Sequence, residues 1–286
     1  MIDLHIHSTA SDGMLSPTEL IALAAKSNLS LVSLTDHDTI AGIQEAFDAA
    51  KRYAIKCIPG IEFTIEVEHG DFHLLAYGMD LHNEDFLALV EEGSKNRSER
   101  NQKLCQMLFD RGIPIRYDTL KEEFQGQIGR PHIAKYLKKL GIVKSVQEGF
   151  DKYLANGKPF YLKTRGLELK KALSCIKKAN GVSVLAHPMS LYLSWSKLET
   201  TIRSLKDVGL DAIEAWNSGT QARYCRRLEA FAKSIDMPVT AGSDFHGKNK
   251  PNNILGIRSD GRKIDEAYYS DNLRPLLEAS ASAYCL

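Results

Sequence analysis

Short apolar runs alternate with stretches of helical periodicity along most of this chain of 286 residues. The apolar runs have the length and composition of β-strands, and the first of them alternates apolar and polar residues from Ile2 to His7. Ser16 marks the start of the first helix, because Pro17 and Glu19 complete the pattern of an N-cap with a capping box. We predict strands at about 2–7, 31–35, 56–67, 73–77, 182–186, 211–216 and 238–241, and helices at about 16–28, 40–53, 167–180, 195–208 and 221–234.

The alternation is interrupted between residues 81 and 165, where helical periodicity dominates at about 83–111, 130–140 and 145–154. Elsewhere strand alternates with helix, which is typical of parallel β/α units. A helical module inserted into an α/β barrel explains this order better than two consecutive domains. We therefore predict a barrel made of residues 1–80 and 166–286, with an inserted helical subdomain at 81–165.

Composition and charge describe an ordinary globular protein, in which 37 Lys and Arg balance 36 Asp and Glu for a formal net charge of +1. This balance argues against affinity of the whole protein for nucleic acid or membrane. The chain contains no apolar run near the length of a membrane span, and it begins without the basic and apolar regions of a signal peptide. We expect a cytoplasmic protein that binds no membrane and has no obligate protein partner.

The cysteines support the same compartment, since they are odd in number, widely scattered and without a CxxC pair. This usage gives neither a disulfide framework nor a zinc finger and suits a reducing environment. We interpret all five as small buried hydrophobic residues: Cys57, Cys105, Cys175, Cys225 and Cys285.

The charge is unevenly distributed along the chain. Residues 94–171 hold 18 Lys and Arg against 8 Asp and Glu, so the remainder of the chain is acidic. An acidic core suits a site for several cations, and a basic insertion beside it would attract a polyanionic substrate. The alternative is that the inserted helices are simply lysine-rich at their solvent-exposed surfaces.

His5 and His7 lie two residues apart on the first strand, so their side chains face the same way. Two imidazoles that project together from a rigid strand are well placed to hold one metal ion. A structural pair of buried histidines, satisfied by carboxylates, is the alternative reading of this motif alone.

Other possible ligands follow the remaining strands. Because function in α/β barrels gathers at the carboxyl ends of strands, we expect these side chains to meet. The set includes six of the nine histidines, together with three carboxylates. Its members are His5, His7, Asp12, His37, Glu62, His73, His187, Asp244 and His246.

Nine ligands are too many for one four-coordinate ion and suit two or three ions, with Glu62 as a bridging carboxylate. Imidazole mixed with carboxylate, and without cysteine, favours Mn²⁺, Fe²⁺ or Zn²⁺ over Mg²⁺ or Ca²⁺. Clustered divalent ions of this kind are typical of phosphoryl hydrolysis. We expect two or three divalent ions, with Mn²⁺ preferred and Fe²⁺ or Zn²⁺ as alternatives.

Four short motifs of the chain resemble, in order, those of the PHP (polymerase and histidinol phosphatase) domain family. They are His5-Ile6-His7, Thr35-Asp36-His37-Asp38, Ala186-His187-Pro188 and Gly242-Ser243-Asp244-Phe245-His246. The resemblance implies a distorted (β/α)7 barrel that holds up to three metal ions. It also implies three ligand sets: His5, His7, Glu62 and Asp244; Glu62, His73 and His187; Asp12, His37 and His246. No ligand position is substituted, which argues against an inactive member.

The chain is most similar to the stand-alone PHP phosphoesterases that act on nucleotides, through its length, its opening motif, its insertion and the run from Tyr153 to Tyr161. Such enzymes remove the 3′-phosphate of 3′,5′-nucleotide bisphosphates such as pAp, and some trim RNA or short oligonucleotides from the 5′ end. The resemblance thus implies a phosphoric ester hydrolase that uses metal-activated hydroxide on one of these substrates. The expected catalytic residues are His5, His7, Asp12, Glu62, Asp244 and His132.

Arg130 and His132 lie where an inserted helix begins, and a helix N-terminus with basic side chains beside it is a natural phosphate site. Lys158, in a turn after a glycine, could reach a second phosphate. We expect these three residues to bind substrate, and either His132 or a metal-bound water to protonate the leaving oxygen. Exposed turns with solvated side chains are the alternative reading, and we interpret Arg97 and Arg100 as solvent-exposed helix surface.

Several residues near the predicted ligands have weaker signals. Asp36 and Asp38 could orient His37, and Asp3 could do the same for the first strand. Glu214 and Asn217 end a strand and could border the pocket, while Trp216 and Tyr192 could stack a base or belong to the core. We interpret His69 as part of an exposed turn and His82 as structural.

Four other functions compete with bisphosphate hydrolysis. The first is a 5′–3′ exonuclease acting on short RNA or DNA, which the basic insertion would favour and which could coexist with the phosphatase. The second is a phosphatase for a small metabolite such as histidinol phosphate. The third is an amidohydrolase-type enzyme that cleaves C–N bonds, and the fourth is a non-catalytic nucleotide-binding module.

Overall fold

The structure, a computed structural model, describes residues 1–68 and 70–282. Seven strands form one sheet in which each strand pairs with the next along the chain. They are β1 (Ile2–Ile6), β2 (Leu31–Leu34), β3 (Lys56–Ile65), β4 (Phe72–Tyr77), β5 (Val182–Leu185), β6 (Ala212–Asn217) and β7 (Val239–Gly242). The backbone after β7 returns to β1, where Asp244 N donates to His5 O at 2.8 Å and His7 N donates to Phe245 O at 2.9 Å. The sheet therefore closes almost completely, and the predicted α/β barrel is confirmed.

Ten α-helices accompany the strands in the described ranges, and most lie where the periodicity predicts them. They are α1 (Pro17–Lys26), α2 (Ile43–Tyr53), α3 (Glu84–Asp110), α4 (Tyr117–Glu123), α5 (Arg130–Lys139), α6 (Val146–Gly149), α7 (Leu169–Lys178), α8 (Trp195–Asp207), α9 (Ala222–Ser234) and α10 (Arg274–Ser282). The capping box is present, since Ser16 Oγ accepts from Glu19 N and Glu19 Oε2 accepts from Ser16 N. The sequence pattern missed α4 and α10.

The direction of β4 departs from the expected parallel arrangement. It pairs antiparallel with both β3 and β5, while the other neighbouring pairs are parallel. Too few residues separate β3 from β4 for the crossover that a parallel pair needs, so the chain turns back as a hairpin. β3 changes partner at Gly60, where a Cβ atom would lie 2.4 Å from Ser33 Oγ.

The residues between β4 and α7 build their own hydrophobic cluster, separate from the two clusters of the barrel. The long helix α3 joins the two regions, because Phe86 and Leu89 belong to the barrel core while Leu104 and Leu108 belong to the inserted one. The division of the chain into domains at residues 81 and 165 stays a prediction.

The predicted burial of cysteines is met at three positions, since Cys105, Cys175 and Cys225 are buried, while Cys57 is half-buried. Cys285 and His69 lie outside the described residues. In the described part of the chain, no helix is both long enough and apolar enough to cross a bilayer.

Closure of the barrel at Gly242 leaves no room for a side chain. A Cβ atom there would lie 2.2 Å from His5 Cβ and 2.8 Å from His5 N, so Gly242→Ala must push β7 away from β1. We expect this change to lower the free energy of unfolding by about 1–3 kcal/mol, as overpacking of a close contact usually does. Denaturant unfolding followed by circular dichroism measures it.

Gly219→Ala is the matched control, because the single neighbour within 4 Å of its added Cβ is Asn217 Oδ1, at 3.1 Å. An unchanged unfolding midpoint for Gly242→Ala would show that the strands separate there at no cost.

Candidate metal centre

Nine ionisable side chains meet at the carboxyl edge of the parallel strands, and they are the nine that the sequence predicts as metal ligands. Seven are buried, and His73 and His187 are half-buried. His73 lies near the start of β4, because the reversed strand begins at the edge where its neighbours end. The barrel thus brings together His5, His7, Asp12, His37, Glu62, His73, His187, Asp244 and His246.

Four of their atoms lie at mutual distances that suit a single ion. His5 Nε2 and His7 Nε2 are 3.1 Å apart, and Glu62 Oε2 lies 3.4 and 3.3 Å from them. Asp244 Oδ1 lies 3.7 and 3.4 Å from the same two nitrogens. Atoms that bind one ion at about 2.0–2.2 Å lie about 2.8–3.6 Å from one another. This group is therefore close to the geometry of a ligand shell.

Glu62 connects that group to a second one. Its other oxygen, Oε1, lies 2.9 Å from His73 Nδ1 and 2.9 Å from His187 Nε2. Because the two oxygens face different histidines, the carboxylate is placed as a bridge between two ions would be.

A third group surrounds Asp12 and lies against the first. Asp12 Oδ1 is 3.1 Å from His246 Nε2, and Asp12 Oδ2 is 3.9 Å from His37 Nε2. His7 Nδ1 lies 3.8 Å from Asp12 Oδ1, so this histidine faces two groups at once. The groups overlap more than the resemblance implies, since His7 also lies with Asp12, and His37 also lies with Glu62 and His73. The division of the ligands among metal ions stays a prediction.

The donors fit divalent cations on an observation independent of distance. Four buried atoms of the cluster make no well-oriented hydrogen bond within the described residues: His7 Nδ1, His37 Nδ1, Glu62 Oε2 and His246 Nε2. Two of them nevertheless lie close to a carboxylate, since His37 Nδ1 is 3.0 Å from Glu62 Oε2 and His246 Nε2 is 3.1 Å from Asp12 Oδ1. A buried polar atom without a partner costs about 1–3 kcal/mol. Cations among these atoms would remove that cost, and neutral imidazole with carboxylate is a donor set that binds Mn²⁺, Fe²⁺ or Zn²⁺.

The carboxylates of the cluster stay ionised in spite of burial. Removal from water disfavours the charge of Glu62, but the neighbouring histidines, His37 first, lower its pKa well below the usual value. Asp244 is likewise buried, and Lys250, whose Nζ lies 2.6 Å from Oδ2, lowers its pKa. The imidazoles differ from one another, because burial lowers the pKa of His37 to about 3, whereas hydrogen bonds to Asp244 and Glu62 outweigh burial and raise the pKa of His7 to about 9.

A cavity of about 140 Å³ adjoins the cluster on the side of the insertion. We call it the arginine cavity. Asp12, His37 and His73 form its wall towards the cluster, and three arginines of the inserted helices line it: Arg97, Arg100 and Arg130. A concentration of positive charge in a cavity favours the binding of an anion there.

The interpretation of Arg97 and Arg100 as exposed surface is wrong, since both are buried. Arg97 Nε donates to Asp38 Oδ2 at 2.8 Å and fastens the insertion to the barrel. Arg100 has two guanidinium nitrogens, Nε and Nη1, buried without a hydrogen-bond partner among the described residues. Burial, and then the charges of Arg130 and Arg97, lower the pKa of Arg100. The surroundings of this side chain therefore disfavour its positive charge.

Comparison with known proteins identifies the family. The PHP domain profile matches residues 3–162. A 5′-3′ exoribonuclease of Haemophilus influenzae is 35% identical over 244 residues, which cover 85% of this chain and 89% of that protein. The chain belongs to the PHP domain family.

Two further proteins resemble this PHP chain over nearly its whole length. A 3′,5′-nucleoside bisphosphate phosphatase of Chromobacterium violaceum is 31% identical over 261 residues, 91% of this chain and 92% of that protein. A solved structure from Bifidobacterium adolescentis, provisionally described as a metal-dependent phosphoesterase, superposes with a TM-score of 0.84 at 30% identity, covering 96% of this chain and 95% of that one. This chain therefore has the same fold as that protein over nearly its whole length.

Glu214 has a central position in this PHP centre that the sequence reasoning underestimated. His5 Nδ1 lies 2.8 Å from Glu214 Oε1, and the other oxygen accepts from His187 N at 2.8 Å and from Asn217 Nδ2 at 3.2 Å. One carboxylate therefore orients His5 and also holds His187 in its left-handed backbone conformation, with φ of 28°. The signal was available, because Glu214 interrupts an apolar strand.

Asp36 and Asp38 do not orient His37, contrary to the expectation. Asp36 accepts from Ser8 N and from the hydroxyls of Ser8 and Ser11, and so fixes the loop after β1. Asp38 binds Arg97 and the backbone of the neighbouring β3. Both carboxylates instead accept hydrogen bonds from neighbouring segments: Asp36 from the loop after β1, and Asp38 from β3 and α3.

Asp3 lies at the closure of the PHP barrel and accepts from the backbone N–H groups of Ser243 and Gly256. It also accepts from His5 N. It therefore fixes the backbone that carries the ligands, and it makes no hydrogen bond to an imidazole ring among the described residues.

The three predicted substrate contacts differ in their positions. Arg130 begins α5 and lines the arginine cavity. His132 is buried, its Nδ1 accepts from Gly129 N at 3.0 Å, and burial lowers its pKa to about 4. The neutral form is therefore favoured, and a role as general acid requires that bound substrate raise this pKa. Lys158 lies in an exposed turn, outside the described lining of the arginine cavity.

Trp216 and Tyr192, the two aromatic residues considered for base stacking, have opposite environments. Trp216 is buried in the core, where its Nε1 donates to Glu229 Oε2 at 3.0 Å. Tyr192 is 76% exposed and lines a second cavity, which is also bordered by Glu62 and His187 of the PHP centre. The exposed turn expected at His69 lies outside the described residues, while His82 is exposed.

Glu214→Gln should weaken metal binding about 10- to 100-fold, a size typical of losing a partner that orients a ligand. An amide has one accepting oxygen, so its NH2 group must face either His5 Nδ1–H or His187 N–H. Competition with a metal-sensitive dye measures the affinity. Glu229→Gln is the matched control, because that carboxylate also accepts through both oxygens but from Trp216 and Tyr268. Equal metal affinities for the two variants would contradict the assignment.

Proposed function

We propose that this chain is a metal-dependent phosphoesterase that removes the 3′-phosphate from nucleoside 3′,5′-bisphosphates, with a nucleoside 5′-phosphate as product. One observation carries the proposal: three predicted metal ligands, Asp12, His37 and His73, form one wall of the arginine cavity. Its opposite side includes Arg100, which has two guanidinium nitrogens buried without a hydrogen-bond partner among the described residues. A substrate with two phosphates satisfies both halves of this arrangement. The names of two relatives, a bisphosphate phosphatase and an exoribonuclease, support the same substrate chemistry.

In this proposal the nine clustered side chains hold two or three divalent ions, and Mn²⁺ is the ion we propose. Such ions, when bound, make a nucleophile from water near neutral pH and neutralise the charge of the phosphoryl oxygens. Glu62 holds two of the groups at a fixed separation through its two oxygens. Glu214 orients His5 and keeps it ready to bind through Nε2.

The arginine cavity would hold the phosphate that is not hydrolysed. At about 140 Å³ it lies below the 300–1,000 Å³ typical of pockets for whole small molecules, so it suits a phosphate group better than a nucleoside. Arg100 and Arg130 offer donors for charge-assisted hydrogen bonds to that phosphate. His132 supports the same helix start through Gly129, and Lys158 is left as a contact for a longer substrate.

The free cysteines in the described residues suit a reducing compartment, and we propose that the enzyme acts in the cytoplasm.

Phosphate release tests the function directly. The purified chain, loaded with Mn²⁺, Fe²⁺, Zn²⁺ or Mg²⁺, is assayed with a nucleoside 3′,5′-bisphosphate, the 3′- and 5′-monophosphates, histidinol phosphate and a carboxamide substrate. We expect the highest kcat/KM for the bisphosphate, with one phosphate released per molecule, and loss of activity on chelation. Faster hydrolysis of histidinol phosphate or of the amide would refute the proposal.

Glu62→Gln should lower kcat about a hundredfold or more in this assay, because metal ions supply several kcal/mol of stabilisation to such transition states. Glu66→Gln, an exposed carboxylate four residues further along, is its control.

Arg100→Met should raise KM for the bisphosphate about 10- to 100-fold, since a hydrogen bond to a charged group contributes about 1.5–3 kcal/mol. The same change should leave stability unchanged or higher, because it removes a buried cation, two nitrogens of which have no hydrogen-bond partner in the described part of the chain. If Arg100 served only the fold, the substitution would lower stability and leave KM unchanged. Steady-state kinetics and denaturant unfolding measure the two effects.

Lys103→Met, an exposed cation on the same helix, controls for the loss of one positive charge. An unchanged KM in Arg100→Met, or an equal rise in both variants, would remove Arg100 from the phosphate site.

A further inference from the structure

A short stretch of α3, residues 93–97, lies against two segments of the barrel that carry predicted metal ligands. Asp12 lies in the loop after β1, and His37 lies just beyond the end of β2. These two side chains belong to one buried group, which His7 and His246 complete. We call it the helix-facing group, because α3 makes contacts with the backbone beside two of its members.

Arg97 fixes the backbone beside His37. Its Nε donates to Asp38 Oδ2 at 2.8 Å and its Nη2 donates to Thr64 Oγ1 at 2.9 Å. Asp38 Oδ1 in turn accepts from Thr64 N at 2.9 Å. Asp38 has a left-handed backbone, with φ of 51°, a conformation that costs an L-residue free energy. The contacts of its carboxylate offset that cost, so Arg97 acts on the position of His37 through the backbone of Asp38.

Gly93 shows how closely α3 approaches this point. A Cβ atom at Gly93 would lie 3.1 Å from Asp38 Oδ1 and 3.4 Å from Asp38 Cβ. One turn further along the helix, the ion pair of Arg97 with Asp38 is buried, with 9% and 1% of the two side chains exposed. Because neither charge is in contact with much water, each depends on the other. The helix is therefore held tightly against the residue that follows His37.

Ser94 connects the same stretch of α3 to the loop that carries Asp12. Its hydroxyl donates to Gln127 Oε1 at 2.9 Å, and its carbonyl oxygen accepts from Gln127 Nε2 at 3.0 Å. Gln127 N donates to Ala10 O at 2.7 Å, two residues before Asp12. Gly126 permits this approach, since its φ is 76° and a Cβ atom there would lie 2.5 Å from Ala10 O. The side chain of Gln127 thus fixes a segment that packs directly on the loop of Asp12.

Other ligands of the metal centre are held from within the barrel. Glu214 of β6 contacts His5 and the backbone of His187. Lys250, which follows β7, pairs with Asp244 at 2.6 Å. A change in the contacts of α3 should therefore disturb the helix-facing group before it disturbs these ligands.

We propose that Arg97 and Gln127 are positioning residues, which set the affinity of the helix-facing group for its metal ion by docking α3 on the barrel. The inserted helices would then determine how many ions the centre holds, besides lining the arginine cavity. This role rests on the proposed function, in which the cluster holds metal ions, and it extends that function to metal binding in the absence of substrate.

Titration of the metal-free chain with Mn²⁺ in phosphate-free buffer tests the role of Arg97. The electron paramagnetic resonance signal of the free ion gives the number of bound ions and each Kd. In Arg97→Met we expect one ion to bind about 10- to 100-fold more weakly, a size typical of losing a partner that orients a ligand, while the others keep their Kd. Charge alone predicts the opposite sign, because removal of a nearby cation favours the binding of another cation. Arg97→Lys, which keeps the charge beside Asp38, should recover most of the affinity.

Arg100→Met is the matched control, since it also removes a buried cation of α3. Two guanidinium nitrogens of Arg100 have no hydrogen-bond partner among the described residues, so this variant should leave every Kd unchanged or lower.

Gln127→Ala is a second variant that changes no charge, and it decides the question if Arg97→Met, which leaves Asp38 buried without its cation, does not fold. It should weaken the same ion about three- to tenfold, the effect of about one hydrogen bond. Gln125→Ala, exposed on the same loop, is its control and should leave every Kd unchanged.

The titration separates this role from the proposed function. Unchanged or tighter binding of every ion in Arg97→Met and Gln127→Ala would overturn the positioning role, and so would equal weakening of all ions, which indicates a general loss of structure. A wild-type chain that binds no Mn²⁺, Fe²⁺ or Zn²⁺ would overturn the proposed function as well. Selective weakening of one ion in a chain that releases no phosphate from the bisphosphate would support the positioning role and overturn the proposed function alone.

Discussion

The rest of the structure depends on a balance between the negative and positive side chains buried at the carboxyl edge of the barrel. Glu62, Asp12 and Asp244 are buried and yet ionised, because imidazoles and Lys250 surround them. An isolated buried carboxylate would protonate or disrupt the core, so these groups can share one space only with positive charge among them. Four atoms of the cluster make no well-oriented hydrogen bond to any described residue, so the protein's own groups complete this balance only in part, and divalent cations would complete it.

The reversal of β4 follows from the same requirement and also explains the insertion. An antiparallel strand brings His73 to the edge where the parallel strands end, but it leaves the chain at the opposite edge. The next helix must therefore return along the barrel. α3 has 27 residues and is about 40 Å long, roughly twice the length of a six-residue strand. Its middle reaches the metal centre, where Arg97 binds Asp38, and its second half begins the inserted core.

The sequence predicts those parts of the molecule that depend on residues close together along the chain. The capping box of α1 and the histidine pair of β1 are local patterns, and the ligands after parallel strands follow from a general property of α/β barrels. Arg97 and Arg100 escaped prediction because a charged residue on a long polar helix is normally exposed. Their spacing was informative all the same, since they share a stripe with Gly93, Leu104 and Leu108, all buried. Only the packing of α3 on the barrel shows what covers that stripe.

The position of Arg100 indicates how the proposed site would select its substrate. Two of its guanidinium nitrogens are buried without a hydrogen-bond partner among the described residues, so a substrate that lacks the distal phosphate would leave an uncompensated charge in the complex. Sites of this kind reject incomplete ligands strongly. The distal phosphate should therefore be close to obligatory.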